Sequence, residues 1–260
     1  MVFYCTIFYA THPGSREENQ DNYLIPGERI KKLTQPVFHS GQKELRLSPG
    51  KTIKIAVSDG MGGEQNGAIA SRTVLKALKK SSDTEDRVDQ INDAVLSAQI
   101  KYGNCGATLV CADFKSDGSS VITYVEAVGD SPCFLIRDGE IVKITRDDNL
   151  YQQLLEEDNL PDDEEEIANA KAGLFEYFGK QTVETQFYRL FVEPGDIFVL
   201  SSDGVLLEED DYPFFMESGV ENPAEDLVLT SVSENMELSG GNSDNVTAVI
   251  ITFEKEGATE

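Results

Sequence analysis

Residues 121–145 read VITYVEAVGDSPCFLIRDGEIVKIT, and this stretch decides the fold. Its apolar runs are rich in β-branched and aromatic residues, which favour strands. The runs predict strands at Val121–Val128, Cys133–Ile136 and Glu140–Thr145. Asp138-Gly139 is a strong two-residue hairpin signal, and Gly129-Asp130-Ser131 indicates a second tight turn. The stretch therefore predicts an antiparallel meander and excludes a doubly wound parallel sheet.

The same pattern continues on both sides of this meander. Further strands are predicted at Val2–Ala10, Ile53–Ser58, Ala107–Phe114, Phe187–Val192, Ile197–Ser202 and Val246–Phe253. Apolar residues at helical spacing predict helices over Gly67–Lys80 and Glu85–Tyr102. A late helix is predicted to begin at Pro223, with Asn222 as its cap. With no internal repeat and no visible domain boundary, the pattern predicts one α+β domain with largely antiparallel sheets.

The composition limits the classes of partner. Hydrophobic residues make up 40% of the 260 residues, which is enough for a substantial core. The formal net charge of −25 disfavours nucleic acid and anionic membranes, because both are negatively charged. The charge is compatible with a cation-binding site, and equally with simple solubility or a saline habitat.

Neither a membrane segment nor a secretion signal is expected from the sequence. No run approaches about 18 apolar residues, and no basic region precedes Val2–Ala10. The cysteines form no CxxC pair; they are Cys5, Cys105, Cys111 and Cys133. A reduced cytoplasmic protein is the simplest interpretation.

Aspartates stand at the ends of several predicted strands. Asp59 and Asp203 each directly follow a strand, and Asp244 precedes one by a single residue. Asp21 lies in a fourth polar segment that begins at Arg16. Carboxylates at strand ends can converge in space, and convergent carboxylates need protons or cations between them. Ligands that are all oxygen favour hard ions such as Mg²⁺ or Mn²⁺.

Residues 146–181 differ from the rest of the chain in their charge. Helices are predicted over Asn149–Glu157 and Asp162–Ala172. Acidic side chains dominate the segment, among them Glu156, Glu157, Asp158, Asp162, Asp163, Glu164, Glu165 and Glu166. Such a run is typical of a solvated face. The alternative is a lid or a partner-docking flap beside a functional site, and both interpretations stay open.

Six sequence blocks together carry a family resemblance. They are Arg16-x-x-Asn19-Gln20-Asp21, Val57-Ser58-Asp59-Gly60-Met61-Gly62-Gly63, Cys105-Gly106-Ala107-Thr108-Leu109, Val128-Gly129-Asp130-Ser131, Leu200-Ser201-Ser202-Asp203-Gly204 and Ser243-Asp244-Asn245-Val246-Thr247. In this order they resemble metal-dependent protein phosphatases of the PPM, or 2C, type. The motif with Met61 in place of a histidine resembles the bacterial branch of that family. The resemblance implies a four-layer α-β-β-α sandwich of two mainly antiparallel sheets with flanking helix pairs. It implies a single domain over residues 1–260, with a flap at about 146–181.

The resemblance also implies roles for the aspartates and one arginine. Asp59 would bridge two Mn²⁺ or Mg²⁺ ions, with Asp203 and Asp244 on one ion and the backbone carbonyl of Gly60 on the other. These three aspartates would be the catalytic groups. Arg16 would hold the phosphoryl oxygens through its planar guanidinium. Attack would be in line, by a dimetal-activated water and without a phosphoenzyme intermediate.

Five further positions follow from the same comparison. Asp21 would belong to the outer shell of the metal cluster, acting through bound water. Asp130 resembles the aspartate of a third metal site, although Gly-Asp-Ser is also an ordinary turn, and both interpretations stay open. Gln20 stands where some relatives have glutamate, which predicts a weaker metal site. Gly62 and Gly63 suit a sharp turn that brings backbone close to an ion.

The implied activity is hydrolysis of phosphoserine and phosphothreonine in proteins modified by a Ser/Thr kinase. A catalytically weak relative that only binds phosphoproteins or other partners is one rival, and a structural cation-binding domain is another. The presence of Asp59, Asp203 and Asp244 disfavours the first rival, and Arg16 disfavours the second. The flap lacks the basic and hydroxyl residues often found there, so its substrate contacts stay open. A catalytic domain without an appended module favours a monomer.

Overall fold

The structure, a computed structural model, describes residues 2–31, 37–62, 66–81, 86–207 and 220–255. Gly63 of the predicted sharp turn and Glu85 at the predicted helix start lie outside these residues. Within them, the helices are α1 (Asn66–Lys80), α2 (Arg87–Tyr102), α3 (Leu150–Glu156), α4 (Glu164–Ala172) and α5 (Pro223–Leu238). The predicted late helix is confirmed, and Asn222 caps it by accepting from the N–H groups of Ala224 and Glu225.

The first sheet is antiparallel throughout. In spatial order its strands are β10 (Glu140–Lys143), β9 (Cys133–Arg137), β12 (Ile197–Ser201), β13 (Val246–Lys255), β1 (Phe3–His12) and β3 (His39–Leu47). Strand β13 lies in the middle and pairs with β1 along its whole length, from Phe3 opposite Lys255 to His12 opposite Val246. Since nearly all of β13 is buried, its sequence is apolar on both faces.

The second sheet is also antiparallel. In spatial order its strands are β11 (Gln186–Val192), β8 (Val121–Val128), β7 (Leu109–Ser116), β4 (Thr52–Ser58) and β2 (Asn22–Leu24). Two short strands, β5 (Gly60–Met61) and β6 (Gly106–Ala107), pair with each other, and β5 begins just beyond the end of β4. The residue between β4 and β5 is Asp59, so the second sheet delivers this carboxylate to its edge.

Three hydrophobic cores define the layers. Phe114, Phe198 and Phe253 meet between the two sheets, with ring centroids 4.9 to 6.2 Å apart. On the outer face of the second sheet, α1 and α2 pack through Val74, Leu78 and other apolar residues. Helix α5 packs on the outer face of the first sheet. The predicted α+β sandwich of antiparallel sheets is confirmed.

The predicted meander is wrong at one of its two turns. Strands β9 and β10 form the predicted hairpin, with Arg137 opposite Glu140 and positive φ at Asp138 and Gly139. Strand β8, in contrast, pairs with β7 and β11, so neither of its edges is open to β9. Residues 129–132 therefore cross from the second sheet to the first, and Asp130 lies in this crossover.

The flap, residues 146–181, is inserted between the outermost strands of the two sheets. It follows β10, an edge of the first sheet, and precedes β11, an edge of the second. Both predicted helices are present as α3 and α4, capped by Asn149 and Asp163. Phe178 is fully buried and exchanges two backbone hydrogen bonds with Ala107 of β6. The end of the flap is therefore fixed next to the turn that carries Asp59.

Candidate active site

A cavity of about 820 Å³ opens where these strand ends meet. Its acidic lining includes the aspartates that the sequence singled out: Asp59, Asp130, Asp203 and Asp244. Arg16 and Gly60 line the same cavity. Asp21 is fully buried, and the charges of Asp203 and Asp244 act on it. The predicted site residues are therefore brought together, although their positions in the sequence span more than 220 residues.

Asp59 is held by Thr108, the residue just before β7 of the second sheet. Its N–H donates to Thr108 Oγ1 at 2.9 Å, and its carbonyl accepts from the N–H of Thr108 at 2.8 Å. Ser58 Oγ donates to the Thr108 carbonyl at 2.6 Å. Thr108 Oγ1 lies 2.6 Å from Ser131 Oγ, and Ser131 follows Asp130 in the crossover. This chain of contacts fixes Asp59 and Asp130 relative to each other.

Asp21 is buried with one oxygen satisfied and one not. Its Oδ2 accepts from Ser202 Oγ at 2.7 Å, and Ser202 Oγ accepts from the N–H of Thr247 at 3.0 Å. Its Oδ1 is buried and has no hydrogen-bond partner among the described protein groups. An unpaired buried carboxylate oxygen is costly, so this atom marks a place for a water molecule or a cation.

Burial and mutual repulsion raise the pKa of four carboxyl groups here. Burial is the first cause at Asp21, Asp59, Asp130 and Asp203, and the charges of neighbouring aspartates raise the pKa further. The Asp203 side chain lines the open cavity, and repulsion from Asp244 is the second cause of the rise in its pKa. The charge of Asp203 is among the causes that raise the pKa of Asp59. Carboxylates this close need protons or cations between them.

These residues fit a hard divalent cation. The donors are oxygen atoms only, and Asp21 Oδ1 supplies a buried oxygen without a protein partner. Among the described residues no three Cys, His, Asp or Glu side chains already form a compact ligand group. The reason is visible in two contacts, because Asp244 is turned to Arg16 and Asp21 to Ser202.

Arg16 lies at the mouth of the cavity in a loop that is tied to the start of β13. Its Nη2 donates to Asp244 Oδ2 at 2.9 Å. Asn245 holds the loop by donating from Nδ2 to the carbonyls of Pro13 and Glu18 at 2.8 and 2.9 Å. Its Oδ1 accepts from the N–H of Gln20 at 2.7 Å. The sequence blocks contain Asn245, but they gave no sign of this positioning role.

Gly60 is placed where only glycine fits. A Cβ atom built on Gly60 would lie 2.1 Å from the carbonyl oxygen of Gly67, at the start of α1. A Cβ atom on Gly67 would lie 2.2 Å from Oε1 of Gln20. The backbones of β5 and α1 are therefore in direct contact at the cavity wall. That the Gly60 carbonyl binds a cation stays a prediction.

The flap supplies cavity residues that sequence reasoning missed. Lys171, Ala172, Leu174 and Tyr177 line the same cavity as the aspartates. We expected the flap to lack the basic and hydroxyl residues often found there, yet it brings one basic residue, Lys171, and one hydroxyl residue, Tyr177, to the cavity. The sequence carries no signal for this, because helix α4 shows no apolar periodicity that would fix its orientation.

A family model described as protein phosphatase 2C matches residues 43–236. The serine/threonine protein phosphatase PstP of Mycobacterium tuberculosis is 29% identical over 213 residues, which cover 75% of this chain and 39% of that protein. The chain thus spans 39% of the length of PstP. Protein phosphatase PhpP of Streptococcus pneumoniae is 25% identical over 228 residues, with 80% of this chain and 89% of that protein covered.

A solved structure shares the fold. It is the catalytic domain of the serine/threonine protein phosphatase PstP in complex with two manganese ions. The TM-score is 0.67 at 22% sequence identity, with 96% of this chain and 100% of that chain covered. None of the helices in the described residues is long and apolar enough to cross a membrane.

Proposed function

This chain belongs to the protein phosphatase 2C family, and we propose that it hydrolyses phosphoserine and phosphothreonine in proteins with the help of divalent cations. The observation that carries the proposal is that four aspartates and one arginine line one open cavity, while the charge of a fifth, buried aspartate, Asp21, acts on Asp59. Anionic ligands for cations and a cationic group for phosphate are the two elements that phosphate ester hydrolysis requires.

We propose that Asp59, Asp203 and Asp244 hold two Mn²⁺ or Mg²⁺ ions together with the Gly60 carbonyl. The repulsion that Asp203 and Asp244 exert on Asp59 supports this assignment, because a cation bound among these carboxylates would relieve it. When bound, such ions lower the pKa of a water molecule and offset the negative charge of the phosphate. Asp21 would act through bound water, which its unpartnered Oδ1 supports.

Asp130 is proposed as a ligand of a third ion. The rise in its pKa, caused by burial and then by the charges of Asp203 and Asp147, supports this role over that of a plain turn residue. Asn149 Nδ2 is 3.5 Å from Asp130 Oδ2, a weak contact that leaves the carboxylate available.

Arg16 is proposed to bind the phosphoryl oxygens of the substrate. Its side chain is 60% exposed at the cavity, so an incoming phosphate reaches it without rearrangement of the core. Its guanidinium can donate two parallel hydrogen bonds to a phosphate and so orient the ester for in-line attack. Asp59, fixed from behind by Thr108, keeps its place while the substrate binds.

The partner is proposed to be a phosphoprotein from a Ser/Thr kinase, and the location cytoplasmic. The four cysteines of the chain are unpaired and buried, which supports a reducing compartment. Residues 1–260 would act as a monomeric catalytic domain that includes the flap. The rival, a binding module without turnover, gains no support, because Asp59, Asp203 and Asp244 all line the cavity.

The test measures phosphate release from phosphoserine and phosphothreonine peptides. Protein stripped with a chelator should be inactive, and Mn²⁺ or Mg²⁺ should restore turnover. Asp203→Asn should stay inactive after cation is added, while Glu140→Gln, which changes an exposed carboxylate on β10, should behave like the parent. Peptide binding without turnover in the parent protein would favour the binding-module rival.

A further inference from the structure

A groove of about 490 Å³ lies between the two helices of the flap. Leu150 and Leu154, one helical turn apart on α3, form one wall. Asn169 and Ala170 of α4 form the other, and the loop 159–161 closes one end. Leu150 is 43% exposed and Leu160 is 36% exposed, so the groove presents apolar surface to solvent.

The rim of this groove is strongly acidic. Exposed carboxylates occupy the loop that connects α3 to α4 and the first turn of α4, where Glu166 itself lines the groove: Glu157, Asp158, Asp162, Asp163, Glu165 and Glu166. Glu156 is also exposed, but it pairs with Arg146 through two hydrogen bonds. From residue 150 to residue 174, Lys171 is the only basic residue in the sequence. An apolar floor with an acidic rim matches apolar side chains flanked by Lys or Arg.

The groove adjoins the active-site cavity through α4. Asn169 and Ala170 line the groove, and the next two residues, Lys171 and Ala172, line the cavity. The two openings are thus separated by one helix, whose diameter is about 10–12 Å. A peptide linker of about five residues spans this distance at ~3.3 Å per residue. One polypeptide can therefore occupy both openings.

We propose that the groove between α3 and α4 docks a segment of the phosphoprotein substrate that carries apolar side chains flanked by Lys or Arg. The docked segment holds the phosphorylated residue near the cavity and raises its local concentration there. This inference rests on the proposed phosphatase activity. It adds a specificity site that is separate from the aspartates and from Arg16.

Charge favours this occupant over others. A second copy of this chain carries a net charge of −25 and would be repelled by the acidic rim. An anionic membrane would be repelled for the same reason. A basic segment of a substrate gains both from the rim and from burial of its apolar side chains.

Binding is tested without catalysis, using a labelled, non-phosphorylated peptide of alternating Leu and Lys residues with the full chain. The double variant Leu154→Gln/Leu160→Gln replaces two of the apolar side chains that line the groove, and Glu165→Lys/Glu166→Lys reverses part of the charge at its rim. Each should weaken peptide binding about tenfold, as measured by fluorescence anisotropy. Leu155→Gln is the matched control, because Leu155 is 47% exposed on the same helix but does not line the groove.

The control should bind the peptide within about twofold of the parent. Equal binding by the parent and both groove variants would overturn the proposal. An equal loss in Leu155→Gln would also overturn it, since it would indicate non-specific adhesion. Sedimentation that shows self-association through the groove would assign the surface to a second copy instead and reject the substrate-docking role.

Kinetics separate this inference from the proposed function. A phosphopeptide that carries the basic apolar segment should have a KM about tenfold lower than the same phosphopeptide without it. The groove variants should lose this difference and keep the parent rate on p-nitrophenyl phosphate, which has no docking segment. Peptide binding without any turnover would reject the phosphatase activity alone. Turnover with equal KM values for both phosphopeptides would reject the docking groove alone.

Discussion

Arg16 Nη2 and Asp244 Oδ2 lie 2.9 Å apart, and this ion pair stands between two cavities. Both residues line the main cavity and also a smaller one of about 550 Å³, which extends toward Ser239 and Asn242. The side chains are 60% and 51% exposed, so the pair contributes only about 0–1 kcal/mol. A phosphate that reaches Arg16 can therefore replace Asp244 at little cost, which leaves the Asp244 carboxylate for a cation.

Replacing Arg16 with alanine should raise KM for a phosphopeptide by about tenfold or more, because a charge-assisted contact to the phosphate is lost. Mn²⁺ affinity, measured by calorimetry, should change by less than about fivefold, since the ion pair with Asp244 is weak. Arg16→Lys keeps the charge without the planar fork and should lie between alanine and the parent. A large loss of metal affinity with an unchanged KM would place Arg16 in another role.

Asp59→Asn should reduce turnover by about 10³-fold or more under saturating Mn²⁺, because a carboxylate central to the cluster is lost. The same change should raise the melting temperature of the metal-free protein, since Asp59 lies among carboxylates that repel one another. Glu140→Gln serves as the control for removing one negative charge. Near-parent turnover in Asp59→Asn would contradict the proposed cluster.

Arg87 should be far more important for stability than for activity. It is buried at the start of α2 and pairs with Asp113 at 3.0 Å and with Glu126. Arg87→Met would leave two buried carboxylates without this partner and should lower the free energy of unfolding by about 3–5 kcal/mol. Urea denaturation measures this loss.

A double variant tests the reason for that loss. Arg87→Met/Glu126→Gln removes one of the two stranded charges and should be less destabilised than the sum of the single variants. Additive losses would show that the three side chains do not act as a coupled cluster. Turnover per folded molecule should stay near the parent value, because the cluster lies outside the active-site cavity.

His12 should make the fold sensitive to mild acid. Its Nδ1 accepts from the N–H of Gly14 at 2.9 Å, so this nitrogen must be unprotonated, and burial lowers the pKa of His12 below its ordinary value. As the pH falls, His12 therefore binds a proton in the unfolded chain at a higher pH than in the folded chain. Stability from this group is present above about pH 6.5 and falls as the pH drops toward the folded pKa.

The matched variant is His12→Asn, whose Oδ1 can accept the same hydrogen bond but does not titrate. Thermal melts of metal-free protein at pH 7.5 and 5.5 should show a smaller decrease in melting temperature for His12→Asn than for the parent. His39 is unchanged in both proteins, so its titration cancels in the comparison. An identical decrease in both would remove His12 as the cause.

Local sequence patterns predicted the central strands because those strands are buried. They missed β3, whose polar sequence HSGQKELRL reflects its place at the edge of the first sheet, where one face and one edge meet solvent. They missed β2 because three residues carry no periodic signal. The turn at Gly129 was misassigned because a tight turn and a crossover between sheets look alike until the partners of β8 are known.

The site could be predicted further than the topology. Aspartates next to predicted strands can be recognised in the sequence alone. Antiparallel pairing of β12 with β13 then brings Asp203, after β12, close to Asp244, before β13, at the cavity. Lys171, Tyr177 and Asn245 could not be found this way. Their roles depend on how α4 packs and on hydrogen bonds to residues more than 220 positions away, which no local pattern encodes.

The insertion of the flap between β10 and β11 has a consequence for how such proteins can diversify. Both strands are the outermost members of their sheets, so the flap enters and leaves the fold without interrupting the pairing of any inner strand. Lengthening a surface insertion costs little, about 0.6 kcal/mol for each doubling of its length. We expect that residues between Lys143 and Gln186 can be exchanged for those of a relative. The recipient would then change its preference among phosphoproteins and keep its own dependence on Mn²⁺.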